Sequence, residues 1–127
     1  MAEILLIDDM CGVRRAVTSM LGRAGHVVTV SENGTDGLAM LRQRRFDLVV
    51  TDMLMPGADG KDVLNYVREL PSRMPVIAIS GGGVGMTADG ALRLARVKAD
   101  GLLEKPFTRE ELTKMVDRLL GNYATGA

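Results

Sequence analysis

The chain has 127 residues, 46% of them hydrophobic, which suits one domain of ordinary size around a single core. Lys and Arg number 16, as do Asp and Glu, and aromatics are 3% with no Trp, so neither a nucleic-acid footprint, a base-stacking platform nor a basic membrane-facing patch is expected. The single cysteine, Cys11, excludes an internal disulfide or a cysteine-built zinc site and suits a reducing compartment.

The N-terminal MAEILLIDD is too short in its apolar part for a secretory signal. No stretch approaches the ~20 apolar residues of a membrane span, so a cytoplasmic chain is expected. Residues 4–7, ILLI, read as a first strand ending in Asp8 and Asp9. Val13, Ala16, Val17, Met20, Leu21 and Ala24 then form the stripe of an amphipathic helix, closed by Gly25. His26 stands at the turn into a second strand, VVTV at 27–30, and is expected to be structural. A helix over 35–44 turns Leu38 and Leu41 inward, and Arg42, Arg44 and Arg45 form a solvated end near its C-terminus.

The third strand is 48–51, followed at once by Asp52. A helix over 59–69 carries Val63, Leu64 and Val67, and a fourth strand, VIAI, covers 76–79. Ser80 and the glycine-rich GGGVG at 81–85 lead to a fourth helix over 87–97. A short fifth strand occupies 100–103, followed by Lys105-Pro106. Thr108 with Glu111 forms a capping box for a last helix striped by Leu112, Met115, Val116 and Leu119. Strands and helices alternate, five of each. Unbroken apolar strands in such an alternation predict a doubly wound α/β domain, a parallel sheet with helices on both faces.

In such folds ligands bind outside the carboxyl ends of the strands. Asp8 and Asp9, Asp52 and Ser80 all stand at those ends, with Lys105 just past the fifth. If the first strand lies beside the third, they share one rim pocket. Clustered carboxylates repel, and a divalent cation relieves the conflict; Mg²⁺ favours such oxygen ligands. Lys105 supplies a compact positive charge for phosphate oxygens, and Ser80 a rotatable hydroxyl. Acids, metal, ammonium and hydroxyl describe a phosphoryl site in which Asp52 can be the nucleophile. Pro56 lacks an N–H and cannot extend a central strand, so the chain stops at the rim and leaves Asp52 accessible. GGGVG lacks the Lys-Ser/Thr of a P-loop and does not follow the first strand, which argues against nucleotide binding.

IDD at 7–9, TDMLMPGADG at 51–60, ISG at 79–81 and EKPF at 104–107, in this order, resemble the response-regulator receiver domain of two-component signalling, of the single-domain chemotaxis type. The resemblance implies a flavodoxin-like fold of five parallel strands in the order 2-1-3-4-5 with five helices. It matches Asp52 to the phosphoacceptor. Asp8, Asp9, Asp52 and the backbone carbonyl of Leu54 match the ligands of Mg²⁺, with Mn²⁺ as a substitute. Ser80 matches the switch hydroxyl and Lys105 the lysine that pairs with the phosphoryl group. Gly81 and Pro106 belong to the loops around that group, and Lys105-Pro106 is similar to the family's frequent cis peptide.

Where the family often has Tyr or Phe as an aromatic switch partner, this chain has Leu102, which can repack but has no polar handle. Leu54 and Gly82 occupy positions that often tune phosphoryl lifetime. The four glycines of GGGVG give the loop after Ser80 freedom to move on phosphorylation. Cys11 and the methionines Met53 and Met55 are expected near the mouth of the site.

The expected organisation is a receiver domain over 1–121 and a flexible tail over 122–127, with no output domain. The implied partners are a sensor histidine kinase or histidine phosphotransfer protein and a downstream protein target. The domain is expected as a monomer or a phosphorylation-dependent dimer, catalysing its own phosphorylation. Alternatives are a receiver fragment of a longer transcriptional or enzymatic regulator and a degenerate receiver serving as a binding module. The rival class is an aspartyl-phosphate phosphatase, a family that generally carries a second acid where this chain has Leu54.

Overall fold

The computed structural model describes residues 2–53, 60–71, 74–80 and 99–124. The chain runs β1 (Glu3–Ile7), α1 (Cys11–Arg23), β2 (Val27–Ser31), α2 (Gly34–Gln43), β3 (Leu48–Asp52), α3 (Gly60–Arg68), β4 (Val76–Ser80), β5 (Gly101–Glu104) and the C-terminal helix α4 (Arg109–Ala124). The sheet has five strands in the order β2-β1-β3-β4-β5, and every neighbouring pair is parallel. The expected helix over 87–97 and the GGGVG loop lie outside the described residues, as do Leu54, Met55, Pro56, Gly57 and Gly81.

Successive strand side chains point to opposite faces, so one apolar strand feeds two cores. Leu5, Ile7, Val49, Val76 and Ala78 meet Leu38 and Leu41 of α2 and Val63, Leu64 and Val67 of α3. Ile4, Leu6, Val50, Ile77, Ile79 and Leu103 meet Val17 and Leu21 of α1 and Leu112, Val116 and Leu119 of α4. This double burial is why ILLI, VV and VIAI read as unbroken apolar runs. β1, β3 and β4 are pinned in the middle, and their carboxyl ends form a fixed rim.

Local signals act as their chemistry dictates. Asn33 caps α2 by accepting from the Asp36 N–H at 2.8 Å. Thr108 and Glu111 form the reciprocal capping box, each side chain accepting from the other's backbone N–H at 3.1 Å. Gly25 follows α1 at φ 93°, a conformation that L side chains rarely adopt. His26 Nδ1 accepts the Ala2 N–H at 3.2 Å, a structural tie between the start of β2 and the N-terminal strand. At α2, Gly37 lies so close to β1 that a Cβ there would stand 2.8 Å from Ile7 Cγ1.

Several expectations are corrected. In α1, Val17 and Leu21 are buried, but Ala16 and Ala24 face solvent, because Ala is too small to define a stripe. β2 holds the edge position that the expected strand order gives it, but there Val27 and Val30 are exposed despite their apolar character. Arg44 is not simply a solvated helix end. It pairs with Glu3 at 2.8 Å and lies 4.4 Å over the Phe46 ring. Residues 122–124, expected in the tail, continue α4, while 125–127 lie outside the described residues.

Candidate functional site

The rim gathers residues from four strand ends. Asp8 follows β1, and its N–H donates to Ser31 O of β2 at 3.2 Å. Asp52 is the last residue of β3, paired in register with Ile79 of β4. Ser80 ends β4, and its carbonyl accepts the Lys105 N–H at 2.8 Å. That bond carries the β4–β5 pairing one residue beyond Glu104 and places Lys105 on the rim. The Lys105-Pro106 peptide is cis, as the motif led us to expect.

Each of Asp8, Asp9 and Asp52 offers a carboxylate oxygen, and these oxygens lie within 4.8 Å of one another. Asp8 is fully buried, Asp52 nearly so and Asp9 exposed. The Lys105 ammonium stands 3.3 Å from Asp8 Oδ2 and 3.3 Å from Asp52 Oδ2. It donates a hydrogen bond to Asp52, whereas buried Asp8 Oδ2 accepts none among the described residues. Among the described residues, the Lys105 ammonium pairs with two of the three clustered acids. A buried carboxylate oxygen left with an ion pair but no aligned donor is poorly compensated. Hard oxygen donors on one side of a pocket, one of them orphaned, fit a hard divalent cation.

The loop holding the acid pair is anchored by residues that the sequence reading passed over. Asp8 Oδ1 accepts the Met10 N–H at 2.9 Å. Arg14, on the first turns of α1, donates to the Asp8 carbonyl at 2.9 Å and reaches Glu32 at 3.6 Å. The Arg14 side chain is mostly buried, so its aliphatic stem packs while its fork ties the β1–α1 loop to the β2–α2 loop. Met10 lies at the mouth, 54% exposed, with Sδ 3.6 Å from Lys105 Nζ. The signal for Met10 was its place next to the acid pair; for Arg14, its spacing one helical turn beyond.

Met53, expected at the entrance, is instead 2% exposed within the core on the α2–α3 side. As the residue after β3 it continues the strand alternation inward. Cys11 is exposed at the first position of α1. Leu102 is partly buried and packs on the α2–α3 core, with Leu103 on the opposite one. Between α1 and the Pro106–Phe107 segment, Val13, Ala16, Met20 and Phe107 line an apolar groove of about 360 Å³ that adjoins Lys105.

The family model for the response regulator receiver domain matches residues 4–117. The chain is 32% identical over 120 residues to the chemotaxis protein CheY of Pseudomonas aeruginosa, covering 92% of this chain and 94% of that protein. It is 31% identical over 120 residues to the transcriptional regulatory protein ResD of Bacillus subtilis, covering 93% of this chain but 48% of ResD. It therefore spans nearly all of one relative and about half the length of the other. Among solved structures, the receiver domain of a Pseudomonas aeruginosa sensor histidine kinase superposes with a TM-score of 0.84 at 26% identity, covering 94% of this chain and 98% of that one. That structure holds a magnesium ion coordinated in its active-site cleft.

A parallel sheet with this strand order and an acid cluster on its rim defines a receiver-type domain. The chain belongs to the response-regulator receiver domain family of two-component signal transduction. Members of that family typically bind Mg²⁺ and generally interact with sensor histidine kinases. Among the described residues, no helix is long and apolar enough to cross a membrane.

Proposed function

We propose that this domain is a phosphorylation switch in which an Asp52 carboxylate oxygen takes the phosphoryl group from a partner's phosphohistidine. The new O–P bond replaces the N–P bond of the donor, and the imidazole leaves with a proton from solvent. The observation that carries this reading is the position of Lys105 Nζ, 3.3 Å from both Asp52 Oδ2 and Asp8 Oδ2. An ammonium there meets the oxygens of the arriving group where their charge develops. Asp8, Asp9 and Asp52, with the Leu54 carbonyl, are the residues that would hold Mg²⁺, or Mn²⁺ in its place. When bound, the ion offsets the negative charge of the acids and of the phosphoryl oxygens.

Ser80 ends the strand beside Asp52 and already bonds Lys105 through its carbonyl. We assign its hydroxyl to the phosphoryl oxygens after transfer, with Gly81 and Pro106 shaping the adjoining loops. Moving Ser80 pulls on β4 and β5, and hence on Leu102, whose repacking alters the surface offered to a downstream protein. The apolar groove beside Lys105 is the surface on which a histidine kinase or phosphotransfer protein presents its phosphohistidine. We assign the domain to the cytoplasm, as a monomer or a dimer formed on phosphorylation, with neither nucleic acid nor membrane as a direct partner.

The test is intact mass after incubation with Mg²⁺ and acetyl phosphate. A single phosphoryl adduct, absent with EDTA or in Asp52→Asn, is the expected result. No adduct from acetyl phosphate or from a panel of histidine kinases leaves a binding module with, at most, a metal site. The partial coverage of ResD supports a second reading, in which the same chemistry controls an output segment of a longer regulator.

A further inference from the structure

We propose that Met10 is an oxidation site, where a peroxide-class oxidant converts the thioether to a sulfoxide whose oxygen captures the Lys105 ammonium and slows phosphoryl uptake. The inference rests on the reading of Lys105 as the group that meets the phosphoryl oxygens.

Accessibility singles out this residue. Met10 is 54% exposed, whereas Met53 and Met74 are buried and Met20, Met40 and Met115 are partly buried. Oxidant therefore reaches Met10 first among the described methionines. With hydrogen peroxide, sulfur gains an S–O bond and loses two electrons, the O–O bond breaks, and water leaves.

Position makes the product consequential. Met10 is held on both sides of its backbone: its N–H donates to Asp8 Oδ1 at 2.9 Å, and its carbonyl accepts the Arg14 N–H at 3.0 Å. Its sulfur stands 3.6 Å from Lys105 Nζ. A thioether is a weak acceptor, so in the reduced protein the ammonium stays with Asp8 and Asp52. A sulfoxide oxygen is polar and extends from the same sulfur towards the same cation. It forms a charge-assisted hydrogen bond and competes with the phosphoryl oxygens for Lys105. The neighbouring Cys11 is also exposed, so its oxidation has to be separated from that of Met10.

The experiment treats the whole chain with hydrogen peroxide, locates the added oxygen by peptide mapping, and follows initial phosphoryl uptake from acetyl phosphate with Mg²⁺. Oxidation at Met10 is expected to slow uptake roughly ten-fold, the effect of one competing hydrogen bond to a charged group. Methionine sulfoxide reductase with a thiol reductant restores the rate, and Cys11→Ser responds as the parent does. Met10→Leu, compared before and after peroxide, keeps its own rate. An unchanged rate in protein oxidised at Met10, or an equal loss in peroxide-treated Met10→Leu, overturns the inference. A second readout is independent of phosphorylation: the NMR signal of the Lys105 ε-methylene shifts on oxidation of the parent and stays in place in Met10→Leu. A stationary signal in the oxidised parent also overturns the inference. Reduced protein that shifts on oxidation yet never takes up phosphoryl refutes the proposed function and leaves the contact standing.

Discussion

Arg14 reaches back from the first turns of α1 to donate a 2.9 Å hydrogen bond to the main-chain carbonyl of Asp8. The guanidinium touches none of the acid-cluster oxygens in that bond, yet it fixes the peptide from which Asp8 and Asp9 project. Groups that orient metal ligands typically matter about 10–100-fold in affinity. Arg14→Ala is therefore expected to weaken Mg²⁺ binding by about ten-fold in calorimetric titration. Arg14→Lys should fall between, because an ammonium cannot bridge Asp8 and Glu32 with a planar fork. An unchanged dissociation constant in Arg14→Ala would show the tie to be only structural.

Divalent-ion linkage gives a second expectation. An ion that binds only the folded form stabilises it by about 1.4 kcal/mol at roughly ten times its dissociation constant. Thermal melts with Mg²⁺ and with EDTA should differ accordingly. Asp9→Asn should lose most of that difference while keeping the EDTA melt, since Asp9 is exposed and outside both cores. If the melts coincide for the parent protein, the acids do not bind Mg²⁺ at such concentrations.

Removing the counter-charge should have the opposite sign. Lys105→Met leaves Asp8 and Asp52 facing each other across a buried pocket. In EDTA this variant should lose about 2 kcal/mol, less than a fully buried ion pair because the Lys105 side chain is partly exposed. Mg²⁺ should recover much of the loss. Urea unfolding under both conditions measures it, and equal losses with and without Mg²⁺ would argue against a shared cluster of charge.

Backbone signals can be tested away from the site. Gly25→Ala should cost about 1 kcal/mol, because φ 93° strains any L side chain although open space surrounds the position. Asn33→Ala should cost about 1 kcal/mol through the lost cap on Asp36 N–H. Both should appear as lower urea midpoints with unchanged slopes. A stability within error of the parent for either would mean that local geometry relaxes at no cost.

Much of the architecture was legible because burial on two faces leaves a simple imprint. β1, β3 and β4 are apolar at nearly every position, since the side chains on both faces enter a core. The acids at 8, 9 and 52 stood out as departures from such runs, and strand order brought them together. The resemblance placed β2 at the edge of the sheet, but the exposure of Val27 and Val30 was not legible, because valine has the same propensity in either place and only tertiary pairing decides exposure. Met53 was misplaced because a residue after a strand can follow the pleat inward or turn outward, and no polar neighbour distinguishes the two. Met10 and Arg14 depend on side-chain reach across a loop, which spacing alone does not encode.

The pairing of Lys105 with Asp52 joins points 53 residues apart in sequence, and its contact with Met10 joins points 95 apart. Lys105 follows the outermost strand at one border of the sheet, whereas Asp8 follows the strand next to the opposite border. Such separations mean that this constellation cannot precede closure of β1, β3, β4 and β5, whose assembly by long-range parallel pairing is intrinsically slow. A nascent chain released before β5 is made carries the acids without their ammonium. Chemical competence in this domain thus arrives last, as a by-product of completed folding, and detachment of the β5 border alone would silence the site while leaving most of the protein intact.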